Sequence, residues 1–183
     1  MEITEQQLTR IIYSVWDFQQ ALSSLTFLLE TCDFKEQYDK VSLRRFRCYE
    51  SSLIVSFSRP FEQTRGGTTI GLRAIGIRLT PEDKALIKKV SELRNKIVAH
   101  SSEEEMHFRT TTFPVLDTKL KMPFFQFNEG LLLDLEQVLE IEILIKKLNQ
   151  GLADFLFKLA QEHPAVLEKY CEPSSFGNNG GSA

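Results

Sequence analysis

The chain has 183 residues and a mass of 21.1 kDa, one domain with room for a short tail. Its composition, 42% apolar and 26% charged with a net charge of −3, excludes wholesale disorder, collagen-like sequence and a multidomain machine. No apolar run approaches the roughly 20 residues of a membrane helix, and the acidic start MEITEQQ does not read as a secretory signal. Cys32, Cys48 and Cys171 are odd in number and far apart, so they read as reduced thiols rather than a disulfide framework or a zinc site. These features give the expectation of a cytoplasmic protein with no membrane segment, no cofactor and no metal.

From Ile3 to Thr31, Leu8, Ile11, Ile12, Val15, Phe18, Leu22, Leu25 and Leu29 recur at three- and four-residue steps, the signature of a long amphipathic helix. A second helix is predicted over about Val41–Phe57, with Leu43, Phe46, Leu53, Ile54 and Phe57 facing the core, and Pro60 ends it. Residues 59–79 scatter four glycines among arginines and read as a loop. A third helix starts at Thr80, with Pro81 at its first position and Glu82 and Asp83 in its first turn, and runs to about His100. His107–Phe127, rich in Phe, Thr and Val and broken by Pro114 and Pro123, predicts a short β-hairpin or extended excursion. Asn128 opens a last long helix to about Glu162, its wide apolar stripe including Leu135, Val138, Leu139, Leu144, Leu148 and Leu152, and Pro164 marks its end. The expected fold is all-α, a four-helix bundle over residues 1–172 with a Gly-, Asn- and Ser-rich disordered tail over 173–183.

Charge is unevenly placed. Residues 1–39 net −5, residues 40–100 net +8 and residues 101–183 net −6. Arg44, Arg45, Arg47, Arg59, Arg65, Arg73 and Arg78 face only Glu50 and Glu62 in the same stretch. Two readings stand: an anion-binding surface in the middle third, or acidic helices that pack beside the basic segment and cancel it.

One constellation carries chemistry. On the third helix Leu86, Val90, Leu93 and Ile97 share one side, while Lys84, Lys88, Glu92, Asn95 and Lys96 take the other. Arg94 and His100 fall inside the apolar arc, about 9 Å apart along the axis. A fixed charge and an imidazole on the packed side demand partners.

The run Leu93-Arg94-Asn95-Lys96-Ile97-Val98-Ala99-His100-Ser101 resembles the active-site motif of the HEPN ribonucleases, Arg followed after four to six residues by His, and most closely the abortive-infection U-type branch. The resemblance is sharp over residues 82–102 and architectural elsewhere. It implies a helical bundle that cleaves RNA without metal, as a toxin or phage-defence effector. The ribose 2′-hydroxyl would attack phosphorus and leave a 2′,3′-cyclic phosphate. His100 would act as acid and base and Arg94 as phosphate clamp, with Asn95 auxiliary. Arg44, Arg45, Arg47 and Lys96 would steer the RNA. The resemblance also implies a homodimer whose two motifs meet in one cleft, and a cognate antitoxin protein.

Plainer readings accompany each residue. His100 suits a helix C-terminus as a core histidine, and Arg94 suits a carboxylate on the last helix such as Glu136 or Glu140. On an ideal helix Asn95 points away from Arg94, so either the last turn is distorted or Asn95 supports the backbone. Phe108, Phe113, Phe124, Phe125 and Phe127 read as core packing or dimer contact ahead of base stacking. A rival to the enzyme is a catalytically silent bundle of the same kind that binds RNA, nucleotide or a partner protein. No tyrosine follows His100 closely, which sets the chain apart from those HEPN toxins that are silenced by nucleotidyl transfer to one.

Overall fold

The computed structural model describes residues 3–63, 67–98, 108–114, 120–127, 130–168 and 170. It is mostly helical with one small sheet, in the order α1 (Glu5–Thr31), α2 (Lys40–Ser58), a 3-10 turn (Arg59–Phe61), α3 (Pro81–Leu93), a π turn (Arg94–Val98), β1 (Phe108–Pro114), β2 (Lys121–Phe127), α4 (Leu135–Glu162) and α5 (Pro164–Glu168).

Three of the long helices begin on capping boxes. The Thr4 side chain accepts from the Gln7 amide while Gln7 Oε1 accepts from the Thr4 amide at 3.0 Å, and Thr80 with Asp83 and Asp134 with Gln137 repeat the device. At α2 Asp39 Oδ1 accepts from the Ser42 amide at 2.8 Å. Asp83 also receives Lys147 Nζ of α4 at 2.6 Å, which fixes the start of α3 against the last long helix.

Helix α1 packs against both α2 and α4, and α3 packs against α2. The core between them is built from Ile11, Phe18, Leu25 and Leu28 of α1, Phe46, Leu53, Ile54 and Phe57 of α2, Val90 of α3, and Val138, Ile141, Leu144, Ile145, Leu148 and Leu152 of α4, all at most 2% exposed. Val15, Leu22 and Leu29 are half-buried against its edge, and Ile12 and Leu43, expected in the core, are half-buried.

Three expectations change: the start of the last helix, the place of Leu135 and Leu139, and the course of the third helix. The last helix starts at Leu135, not Asn128. Asp134 provides its cap, and the amides of Leu132 and Leu133 bond to the Glu50 carboxylate at 2.7 Å instead of entering the helix. At 100° per residue Leu135 and Leu139 project away from the arc of Ile141, Ile145, Leu148 and Leu152, and they are 37% and 41% exposed, off the core stripe. The end of that helix is where it was expected, at Glu162 before Pro164: His163 leaves helical geometry, and Pro164 opens the short α5, the position where its missing N–H costs nothing. The third helix does not continue as one α-run to His100. It ends at Leu93 and passes into the π turn, and His100 lies outside the described residues.

The described part of 59–79 is a loop, as expected, after the 3-10 turn, and it is tied into the core. Ile70, Ile75 and Ile77 are buried, and the Ile77 amide donates to Leu72 O at 2.9 Å across a turn in which Gly76 takes a φ of +79°. Ile77 lies so close to α4 that a Cβ on Gly151 would stand 2.5 Å from its Cγ1, so glycine there is a packing requirement.

The predicted hairpin is present. Phe108 pairs with Phe127 and Pro114 with Lys121 in an antiparallel register. Its described side chains are exposed on both strands, so Phe113, Phe124, Phe125 and Phe127 are not core. No helix of the described residues is long and apolar enough to cross a membrane. The C-terminal segment from Cys171, Arg65, and the Glu103–Glu105 and His107 stretch lie outside the described residues.

Candidate functional site

Aromatic packing sets the stage for the motif. Phe18 of α1, Phe57 of α2 and Phe61 of the 3-10 turn form a triangle of tilted rings with centroids 5.6–6.2 Å apart. That triangle clamps the 3-10 turn onto α1 and presents the next residue, Glu62, to the end of α3. Arg94 opens the π turn there, its amide donating to the carbonyls of Val90 and Ser91.

Its guanidinium is held twice. Arg94 Nη1 lies 2.7 Å from Glu62 Oε2 and donates to Asn95 Oδ1, also at 2.7 Å. The Arg94 side chain is 33% exposed and that of Glu62 19%. Glu62 Oε1 is buried and has no hydrogen-bond partner among the described residues. Arg94 therefore faces inward, as its place in the apolar arc requires. Its partner is Glu62 rather than Glu136 or Glu140 of the last helix. The question left open for Asn95 is answered by the wider π turn, which brings its side-chain carbonyl onto the guanidinium of its neighbour. Lys96 is exposed.

Glu62 is the residue that sequence reasoning missed. It stands 32 positions before Arg94 in a stretch without periodicity, and its only signal was its rarity as an acid among seven arginines.

The other arginines differ in exposure and in their acid partners. Arg47 bonds Glu50 at 3.0 Å, and Arg59 lies 3.5 Å from Asp17, which also pairs with Arg10 at 3.7 Å. Burial pushes the Asp17 carboxyl up from its ordinary value, and the two guanidinium groups pull against that shift. Burial also raises Glu50, opposed by the Leu133 amide, Arg47 and the Leu132 amide. Arg44, Arg45, Arg73 and Arg78 are exposed, Arg45 with its guanidinium carbon 5.3 Å from the Phe46 ring centre. The basic stretch thus meets acids at Arg47 and Arg59 and is exposed at these four.

Arg44, Arg45 and Arg47 stand about 18–22 Å up the α2 axis from Arg59, so the fold does not gather them around Arg94. A cavity of about 760 Å³ lies elsewhere, between Leu8 of α1, the turn at Arg73–Gly76, and Phe155, Leu159 and His163 at the far end of α4. None of the described motif residues lines it. Among the described residues no three His, Cys, Asp or Glu side chains converge as metal ligands would.

Comparison of the chain with models of known protein families, with curated proteins and with solved structures returns no match.

Proposed function

We propose that this chain is a metal-independent endoribonuclease of the HEPN type, working as a cytoplasmic toxin or phage-defence effector, with its site completed by a second copy. The observation that carries the reading is the half-buried Arg94 at the entrance of the Arg-(x)5-His run, oriented by Glu62 and Asn95 through one nitrogen. A guanidinium held in this way has Nη2 and Nε left over for a phosphate, and its charge cannot be lost near neutral pH.

His100 supplies proton transfer. As a base it takes the 2′-hydroxyl proton, the oxygen attacks the adjacent phosphorus, and the pentavalent charge develops against Arg94. The leaving 5′-oxygen takes a proton from the conjugate acid, and the product ends in a 2′,3′-cyclic phosphate. Arg44 and Arg45 on α2 and Lys96 beside the site steer the polyanion. The distance along α2 is one that a few nucleotides of single strand cover. Arg47, already bound to Glu50, contributes field rather than a direct contact.

A second reading draws on the same geometry. Because Arg94 already has an acid partner within its own chain, the motif also suits a silent bundle in which the pair is structural and the molecule binds RNA, nucleotide or an antitoxin-like partner. Incubation with RNA in EDTA separates the two. The enzyme predicts cleavage by the wild type that survives chelation and is lost in both His100→Ala and Arg94→Ala. Binding without cleavage by all three favours the silent module.

A further inference from the structure

The cavity of about 760 Å³ has no part in the chemistry proposed above. Separate stretches of the chain wall it: the start of α1, the turn at Arg73–Gly76, and the last turns of α4 together with α5. Packing fixes those walls. The turn is pinned from beneath by buried Ile75 and Ile77, and Ile77 fills the space that a Cβ on Gly151 of α4 would need. Its tight course depends on Gly76, whose φ of +79° suits glycine. At the other end Tyr170, just past α5, places its hydroxyl 3.3 Å from Thr9 Oγ1 of α1. A preformed concavity of this volume falls within the roughly 300–1,000 Å³ of small-molecule sites.

We propose that this cavity binds a small amphipathic monoanion, an apolar body ending in one carboxylate, and that Arg73 takes the carboxylate. The floor selects the body. Ile3, Leu8, Ile75, Phe155, Leu159 and Val166 line it. Leu8 and Ile75 are 3% and 6% exposed at its base, and Val166 is 39% exposed at its rim. Apolar carbon seated on that floor takes both surfaces out of water, and this removal drives the binding.

The rim selects the head group. Its charged side chains are Arg73, Asp154, Lys158 and Glu162, with His163 beside them at the C-terminal cap of α4. Lys158 Nζ lies 3.7 Å from Glu162 Oε1, so those two answer each other. Asp154 Oδ1 accepts from Gln150 Nε2 at 2.8 Å. Arg73 stands apart: it is exposed, and no side chain among the described residues pairs with it. A guanidinium presents parallel N–H donors that a planar carboxylate accepts two at a time. The acids on the α4 wall cap the charge of the ligand, because a dianionic phosphate would meet Asp154 and Glu162 with one uncommitted guanidinium to offset them. The inference does not rest on the nuclease reading and is tested without RNA.

Isothermal titration calorimetry of the full chain at neutral pH is the test, with octanoate, 1-octanol and octylammonium as probes below their solubility or micelle limits. Octanoate is expected to bind with a Kd of about 1 mM or tighter and more tightly than the other two. Arg73→Gln should weaken octanoate about tenfold, the loss of a charge-assisted pair, and leave octanol unchanged. Arg78→Gln removes the same charge from the same loop outside the cavity lining and should leave both unchanged. Ala74→Trp fills the cavity from its wall and should abolish octanoate binding. An unaltered helical circular dichroism spectrum shows that this variant is folded, and the comparison of Arg73→Gln with Arg78→Gln decides the matter without it. Octanoate binding that those two variants weaken equally, or not at all, overturns the role of Arg73. Octanol or octylammonium binding at least as tightly as octanoate overturns the monoanion. Octanoate that still binds folded Ala74→Trp, or no binding of any probe at millimolar concentration, overturns the site.

Discussion

Glu50 and Glu62 each pair with an arginine, and they differ in how completely they are satisfied. Glu50 is wholly buried, and its carboxylate accepts from the amides of Leu132 and Leu133 at 2.7 Å and from Arg47 at 3.0 Å. Glu62 receives Arg94 on Oε2 and has its other oxygen buried without a described partner. A buried polar network with its acceptors used is architecture, because a missing partner costs the full desolvation of what remains. In the function proposed above it is Arg94, with Nη2 and Nε not used by Glu62 or Asn95, that would take the phosphate, and Glu62 orients it.

The comparison is broken most forcefully at Glu50. Replacing it with Ala strands two amides and a guanidinium near the start of α4, and the expected loss is about 3–5 kcal/mol in the unfolding free energy, read by urea denaturation. A loss under 1 kcal/mol would remove Glu50 from the architectural class. Gly151→Ala tests the neighbouring claim that loop 59–79 is core: the Cβ must displace Ile77, at a cost of about 1–3 kcal/mol that the better helix propensity of alanine only partly offsets.

Glu62→Ala should behave in the opposite way, with about 1 kcal/mol or less lost in stability because the pair is partly exposed, but with RNA cleavage down about tenfold and no further loss when it is combined with Arg94→Ala. Independent, multiplicative losses in the double variant would show that Glu62 does not act through Arg94.

The smallest effect is in pH dependence. Burial raises the Glu50 carboxyl in the folded state, so the native chain binds that proton more tightly than the unfolded chain does. The stability it contributes is present at low pH and falls as pH rises through the folded value. Relative to wild type, Glu50→Gln should therefore gain stability as pH rises from the ordinary glutamate range, and a difference that declines instead would reverse the assigned sign. Thermal melts of the two proteins across pH 4–7 measure it.

How far this could be read in advance depended on whether the signal was local. The helices were legible because Thr80, Pro81 and the i, i+3, i+4 spacing of apolar residues are local instructions, and the hairpin because proline and β-branched residues punctuate 107–127. Asn128 misled because the decisive events lay elsewhere: Asp134 forms the capping box with Gln137, and Glu50, over 80 residues upstream, takes the amides that a longer helix would have needed. Arg94 was singled out correctly as an inward-facing charge, yet its partner was invisible. No period links a residue in a glycine-rich loop to a helix end, and only the Phe18–Phe57–Phe61 packing delivers Glu62 there. The π turn had no sequence mark, and without it Asn95 projects the wrong way.

The most direct test of the account is the chemistry of the RNA ends produced in EDTA. Wild-type protein should leave 2′,3′-cyclic phosphates opposite 5′-hydroxyls, and the Arg94→Ala protein, folded to the same circular dichroism spectrum, should leave neither. Ends carrying 3′-hydroxyl and 5′-phosphate, or identical products from the Arg94→Ala protein, would contradict it.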